Sequence, residues 1–180
     1  MKSIDTQKRV LLHICCAPCS ASAVKVLQNI YDISFYWYNP NIYDEKEYKN
    51  RKESAVRYAK ELGIQFHEDL KFIYNYKDWK DRSCEQCHLC YALRLEKTAT
   101  FAKDNDFNFF TTSLLSSPYQ KHDLVKKTAI NFASKYAVEF LYYDFRPGFY
   151  KGKNLLKQKG YYMQKYCGCN KSYKERFTNI

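Results

Sequence analysis

The chain has 180 residues, the length of one ordinary domain. Hydrophobic residues make up 46% and charged residues 27%, a balance too apolar for a disordered chain and normal for a folded one. No apolar run reaches the roughly 18–20 residues of a membrane span, and Met1–Val10 lacks the apolar core of a secretory signal, so a cytoplasmic location is expected.

The net charge of +11 is uneven. Between Lys121 and Ile180 stand thirteen basic and four acidic residues, so this third of the chain carries +9. From about residue 146 onward, Tyr150, Tyr161, Tyr162, Tyr166 and Tyr173 are interleaved with the lysines. Lysines neutralise phosphates and aromatic rings stack on unpaired bases, so this segment, 146–180, points to nucleic acid. The plain alternative is a basic tail whose charge keeps the chain in solution.

In chain order, Arg9–Cys15 (RVLLHIC) reads as a buried strand. Ser20 is placed to cap a short helix through Ile30. Asp32–Tyr38 is a second strand, stopped by Asn39-Pro40-Asn41. From Asp44 to Leu62, Tyr48, Ala55, Tyr58, Ala59 and Leu62 recur at helical spacing, and Gly63 supplies the stop. Ile64–Leu70 is a third strand, and Asn75–Cys87 is irregular. A helix with Ala92, Leu95, Ala99 and Ala102 on one face follows. Asn108–Leu115 is a fourth strand, Val125, Ala129, Phe132 and Tyr136 mark another helix, and Val138–Phe145 is a final strand. The basic remainder is expected to be helical in pieces.

Strands alternating with helices predict a single α/β domain over 1–180: a mostly parallel, Rossmann-like sheet with helices on both faces. In such sheets ligands sit beyond the carboxyl ends of the strands. Cys15-Cys16, Asn39-Pro40-Asn41 and Ser117-Pro118-Tyr119 all fall there, which makes Asn39, Ser117 and Tyr119 candidates for substrate contact. Asp144 and Arg146, at the end of the last strand, are further candidates, with a local surface ion pair as the alternative. No GxGxxG or Walker loop occurs, so no nucleotide cofactor is indicated. His13, mid-strand, reads as a hydrogen-bonded core histidine.

The eight cysteines form three groups. Cys15, Cys16 and Cys19 stand in HICCAPCS, Cys84, Cys87 and Cys90 in SCEQCHLCY, and Cys167 and Cys169 in YCGC. A secreted disulfide scaffold would be shorter and more evenly spaced, so clusters of this kind point to metal or redox work. Cys16-Ala-Pro-Cys19 between a strand and a helix suggests a thioredoxin-like dithiol, although the adjacent Cys15 is superfluous to one. The evenly spaced thiols at 84, 87 and 90 resemble half of a ferredoxin run, and a CxxC with a distant pair also suits zinc. Iron–sulfur, zinc and dithiol chemistry all remain open on spacing. Cys167 and Cys169, one residue apart, would form a strained and readily reduced disulfide, which suits an electron relay.

Taken in order, LLHICCAPCS, FYWYNPNIY, EYKNRKE, CHLCYALRLEKTATFA, FFTTSLLSSPYQKHD, FLYYDFR and YCGCNKS resemble the QueH family of epoxyqueuosine reductases over about Leu11–Ser172. The resemblance implies a sheet similar to the adenine-nucleotide α-hydrolase (HUP) group. It implies reduction of the epoxide of epoxyqueuosine, at the wobble position of tRNA, to queuosine. It also implies a 4Fe–4S cluster held by Cys15, Cys16, Cys87 and Cys90, with room for an additional iron, and a redox-active disulfide at Cys167 and Cys169. The implied partners are a tRNA anticodon loop and an unidentified electron donor, with no membrane. Cys84 is an extra thiol of this sequence. Cys87 and Cys90 are preferred to it because Tyr91 and Leu93-Arg94-Leu95 follow them in the family register. Cys19 and Asp144 are candidate helpers in handling the epoxide oxygen. Two other classes stay open: a zinc-stapled RNA-binding module, and a thiol–disulfide oxidoreductase using Cys16 and Cys19.

Overall fold

The most apolar segment of the chain takes the centre of the sheet. In the computed structural model, which describes residues 8–72, 74 and 87–178, strand β1 (Arg9–His13) has Val10, Leu11 and Leu12 wholly buried. A strand covered on both faces reads as such a continuous apolar run. β1 pairs in parallel with β2 (Asp32–Trp37) on one side and with β4 (Phe109–Thr112) on the other, with Leu11 opposite both Ser34 and Phe110. Outside them lie β3 (Gln65–Glu68) and β5 (Glu139–Phe140), giving a five-stranded parallel sheet of order β3-β2-β1-β4-β5.

The crossovers form two groups. Helix α1 (Ala17–Leu27) packs against α2 (Glu45–Leu62), while α3 (Cys87–Asp104) packs against α4 (His122–Tyr136). Right-handed crossovers running outward in both directions from β1 put these pairs on opposite faces. The fold is thus the expected doubly wound α/β sheet, and the strand order reverses between β1 and β4, where such sheets bind ligands. Among the described residues, no helix is long and apolar enough to cross a membrane.

Several boundaries differ from the sequence reading. α1 begins at Ala17, ahead of Ser20, because the Cys16 sulfur accepts from the Cys19 N–H and caps the helix. It ends at Leu27, and Ile30 is exposed. α2 starts from an Asp44 cap and stops at Gly63, φ +66°, as its sequence signals require. β4 stops at Thr112, whose hydroxyl accepts from Leu114 N–H and turns the chain into a tight helical turn at Ser113–Leu115. β5 is only two residues long, and Tyr142 and Tyr143 beyond it are exposed. The irregular stretch expected over Asn75–Cys87 lies outside the described residues except for Cys87, which opens α3, so Cys84 is outside them as well.

The basic C-terminal segment is built of α5 (Phe149–Gln158) and α6 (Asn170–Phe177), joined by 159–169. α5 lies against α1 closely enough that a Cβ on Gly152 would stand 2.9 Å from the Ala21 Cβ. The absence of a side chain there lets the segment reach across the strand ends.

Candidate active site

Cys15 and Cys16 leave the end of β1, and Cys19 lies in the first turn of α1. Their three sulfurs lie within 4.8 Å of one another, all buried. The Cys16 sulfur caps a helix N-terminus, where N–H groups and the helix dipole favour an anion. Ser113, from the turn after β4, accepts from the Cys15 N–H at 3.1 Å and donates to the Cys15 sulfur at 3.4 Å. Hydrogen bonds from Cys16, and then from Cys19, hold the Cys15 thiol well below its ordinary range. Burial pushes Cys16 up, and the bond to Cys15 pushes Cys19 up.

A second group gathers around α3 and the YCGC turn. Burial pushes the Cys90 thiol up to about 11, and its electrostatic neighbours include Cys167, Cys169 and Cys87. Cys167 is hydrogen-bonded to Cys169, which raises its pKa well above the ordinary thiol value, and burial adds to this. The Cys169 sulfur accepts from Ser172 N–H and caps α6. Both groups therefore place one sulfur at a helix start, a common device visible only in three dimensions.

Two buried arginines stand behind these sulfurs. Arg51 pairs with Glu47 at 2.6 Å and donates to the carbonyls of Cys167 (3.0 Å) and Tyr166 (2.9 Å). Arg94 donates to the Cys90 sulfur at 3.1 Å and to its carbonyl at 3.1 Å. Arg94 also interacts electrostatically with Cys90, Cys167 and Cys15, thiols of both groups. Tyr91 continues the pattern: its hydroxyl donates to Gln120 Oε1 at 2.7 Å, and Gln120 Nε2 donates to the Cys167 sulfur at 3.4 Å.

A cavity of about 800 Å³ opens over this centre. Cys19, Cys87, Cys167 and Cys169 are in its wall, with Pro18, Tyr91, Ser117, Tyr119, Gln120, Phe149, Met163, Gln164, Tyr166 and Ser172. Its charged lining is Lys121, Lys153, Lys157, Lys165, Lys171 and Arg176 against the single carboxylate Glu175. Among the described residues, the buried Gln164 Oε1 and Tyr166 hydroxyl have no hydrogen-bond partner. At the rim, the exposed Tyr119 and Tyr150 hydroxyls lie 3.4 Å apart.

Of the candidates for substrate contact, Ser117 and Tyr119 line this cavity and Asn39, Asp144 and Arg146 do not. Asn39 is buried and donates to the Ile14 carbonyl at 2.9 Å, tying the ends of β1 and β2 together. Arg146 grips Asp144 through two bonds of 2.8 and 2.7 Å, the local surface ion pair given as the alternative above. That contact holds the Asp144 carboxyl at about 2, so it is ionised at neutral pH and has no proton to give to an epoxide oxygen. His13 is a core histidine, bonded to Thr112 Oγ1 and the Tyr38 carbonyl, and burial lowers it to about 4. Sequence reasoning passed over Arg51, Arg94, Ser113, Gln120 and Gln164. The one signal is that Arg51, Arg94 and Gln120 lie in EYKNRKE, LRL and SPYQ, blocks that also carry the family resemblance.

Three buried thiols at this separation can hold a metal ion. Sulfur donors select soft or borderline metals, zinc and iron among them, over magnesium or calcium. Cys87, Cys90, Cys167 and Cys169 add donors of the same kind, so the side chains present fit a thiolate-bound metal centre.

Comparison with known proteins identifies a family. Residues 10–175 match the family described as Epoxyqueuosine reductase QueH. Relatives bearing that name include the protein of Dehalococcoides mccartyi, 33% identical over 94% of each chain. Another, from Thermotoga maritima, is 33% identical and covers 93% of this chain and 91% of its own. Among solved structures, the U34-tRNA thiolase NcsA of Methanococcus maripaludis aligns with a TM-score of 0.45 at 12% identity, over 96% of this chain and 82% of that one. With the family match running through every cysteine group at the site, this chain belongs to the epoxyqueuosine reductase QueH family.

Proposed function

We infer that this chain reduces the epoxide of epoxyqueuosine, at the wobble position of tRNA, to the cyclopentene of queuosine, the last step of queuosine formation. Beyond family membership, the observation that carries this reading is the cavity, in which thiols of both groups stand beside six cationic side chains. The reaction consumes two electrons and two protons and releases the epoxide oxygen as water. It needs an electron source, a proton source and a pocket for one unstacked nucleotide. A volume near 800 Å³ suits a bound nucleoside, and lysines around the mouth suit the flanking phosphates.

Cys15, Cys16, Cys87 and Cys90 are the ligands we assign to a 4Fe–4S cluster. Such a cluster, when bound, supplies electrons one at a time. Cys167 and Cys169 pass between dithiol and disulfide, releasing two electrons and two protons, the number that the reduction consumes. An external donor must then restore the dithiol. Cys19 is the member of the first group that faces the cavity, and it is our candidate for delivering a proton to the epoxide oxygen. Ser117 and Tyr119 are candidates for holding the nucleotide, Tyr119 by stacking.

One observation favours a second reading of the first group. Thiolates around a single tetrahedral ion at a metal–sulfur length near 2.3 Å lie about 3.8 Å apart, and Cys15, Cys16 and Cys19 are all within 4.8 Å of one another. In this reading Cys15, Cys16 and Cys19 hold one metal ion, in place of the cluster assignment of Cys15 and Cys16.

The test is anaerobic purification with iron and sulfide analysis, followed by incubation with epoxyqueuosine-bearing tRNA and a strong reductant. Mass spectrometry of the digested tRNA is expected to show the modified nucleoside lighter by one oxygen. Iron-loaded protein that leaves the epoxide intact sinks the reading.

A further inference from the structure

The two buried arginines are partnered differently. Arg51 is 1% exposed and answers a carboxylate, Glu47. Arg94 is also 1% exposed, yet among the described residues it forms no ion pair with a carboxylate. Its polar partners are the carbonyl and the sulfur of Cys90, and the thiols of Cys167 and Cys15 are its next electrostatic neighbours. A guanidinium stays charged at any pH a protein survives. Burying it without a counter-ion is strongly unfavourable. A neutral thiol does not answer that charge, whereas a metal-bound thiol is deprotonated outright. The charge balance of this interior closes only when the sulfurs around Arg94 carry negative charge.

We propose that Arg94 is a positioning residue for the sulfur centre: a fixed counter-cation, bonded to Cys90 in both backbone and side chain, that holds the metal–thiolate assembly in place and raises its reduction potential. This rests on the metal–thiolate reading given above. The direction of the effect follows from charge. A centre that gains an electron becomes more negative, and a cation at contact distance stabilises that state more than the oxidised one. Hydrogen bonds to cluster sulfurs and local net charge are the protein's main means of setting such potentials. The fork geometry matters as well, since Nε holds the Cys90 carbonyl while Nη2 reaches the sulfur. The ligand is thereby fixed in both backbone and side chain. Lys keeps the charge without the fork, and Gln keeps a donor without the charge.

The experiment compares the parent chain with Arg94→Gln and Arg94→Lys, all purified anaerobically and reconstituted with iron and sulfide. The readouts are iron and sulfide per chain, the visible spectrum, and the midpoint potential from dye-mediated titration. Arg94→Gln is expected to hold less iron, or to hold it at a more negative potential, whereas Arg94→Lys stays closer to the parent in potential. Parent-like iron content and potential in Arg94→Gln would overturn the assignment of Arg94 alone. A parent chain that binds no iron would overturn the metal–thiolate reading and this inference with it. If Arg94→Gln fails to fold, a folded Arg94→Lys that holds iron near the parent potential supports the role of charge. Failure of both variants to fold would reduce Arg94 to packing and overturn the proposal.

Discussion

Arg51 Nη1 donates to the carbonyl oxygen of Cys167 at 3.0 Å, although the two residues are 116 apart in the sequence. With its second bond to the Tyr166 carbonyl and its ion pair to Glu47, the guanidinium clamps the C-terminal turn onto α2. Gly168 between the two cysteines has φ +124°, and a Cβ there would stand 3.3 Å from Arg51 Nη1 and 3.4 Å from Ile42 Cγ1. The carbonyl of Gly168 also accepts from the Tyr43 N–H at 2.7 Å. The glycine of YCGC is thus required by both backbone conformation and space.

Gly168→Ala is expected to destabilise the fold by about 1–3 kcal/mol through its disallowed φ. Arg51→Met should cost more, about 3–5 kcal/mol, because it leaves the buried Glu47 carboxylate without its partner. Thermal unfolding of both variants checks the order. A Gly168→Ala chain as stable as the parent would mean that the turn relaxes without cost.

Alanine at Cys15, Cys16, Cys87 or Cys90 should remove most of the iron and all of the activity. Cys84→Ala should retain both. Cys19→Ala separates the two readings of that residue by metal analysis: lost iron makes it a ligand, while full iron with lost epoxide reduction makes it the proton donor.

Cys169→Ser is expected to keep iron and tRNA affinity. It should fail in multiple turnover. Steady-state turnover at the parent rate would remove the pair from the electron path.

Lys153 and Lys157 line the cavity, whereas Lys151 does not and Lys159 is paired with Glu61. Neutralising Lys153 and Lys157 together should weaken tRNA binding and flatten the slope of log K against log salt by up to ~1.4 for single-stranded backbone. The same change at Lys151 and Lys159 should leave the slope near that of the parent. Equal effects from both pairs would move the RNA surface off the cavity mouth.

Asp144 titrates at about 2 instead of its ordinary 3.8 because Arg146 favours its charged form. A carboxyl depressed in the folded state contributes stability above its unfolded pKa and loses it as pH falls towards 2. The pair is solvent-screened, so the contribution is under about 1 kcal/mol. Asp144→Asn is therefore expected to leave the pH–rate profile between pH 5 and 9 unchanged and to alter only the acid limb of unfolding. A shifted profile in that range would return Asp144 to the reaction.

The chain's own pattern was enough for the class of fold. Apolar runs such as RVLLH, helical spacing over 45–62 and the Asp44 and Gly63 end signals are local, and each strand or helix is dictated by the residues it contains. The same holds for the presence of sulfur chemistry, since clustered thiols announce themselves by spacing. What the sequence could not give is which thiols meet. Cys90 neighbours Cys167 and Cys169, while Cys15, Cys16 and Cys19 form a separate trio, because the fold brings α3, from the middle of the chain, beside the C-terminal turn. Nor could it mark Arg51 and Arg94, which read as ordinary helix-surface arginines. Only tertiary packing buries them, and a buried charge must be answered by whatever group the fold brings beside it: a carboxylate for Arg51, and sulfur for Arg94.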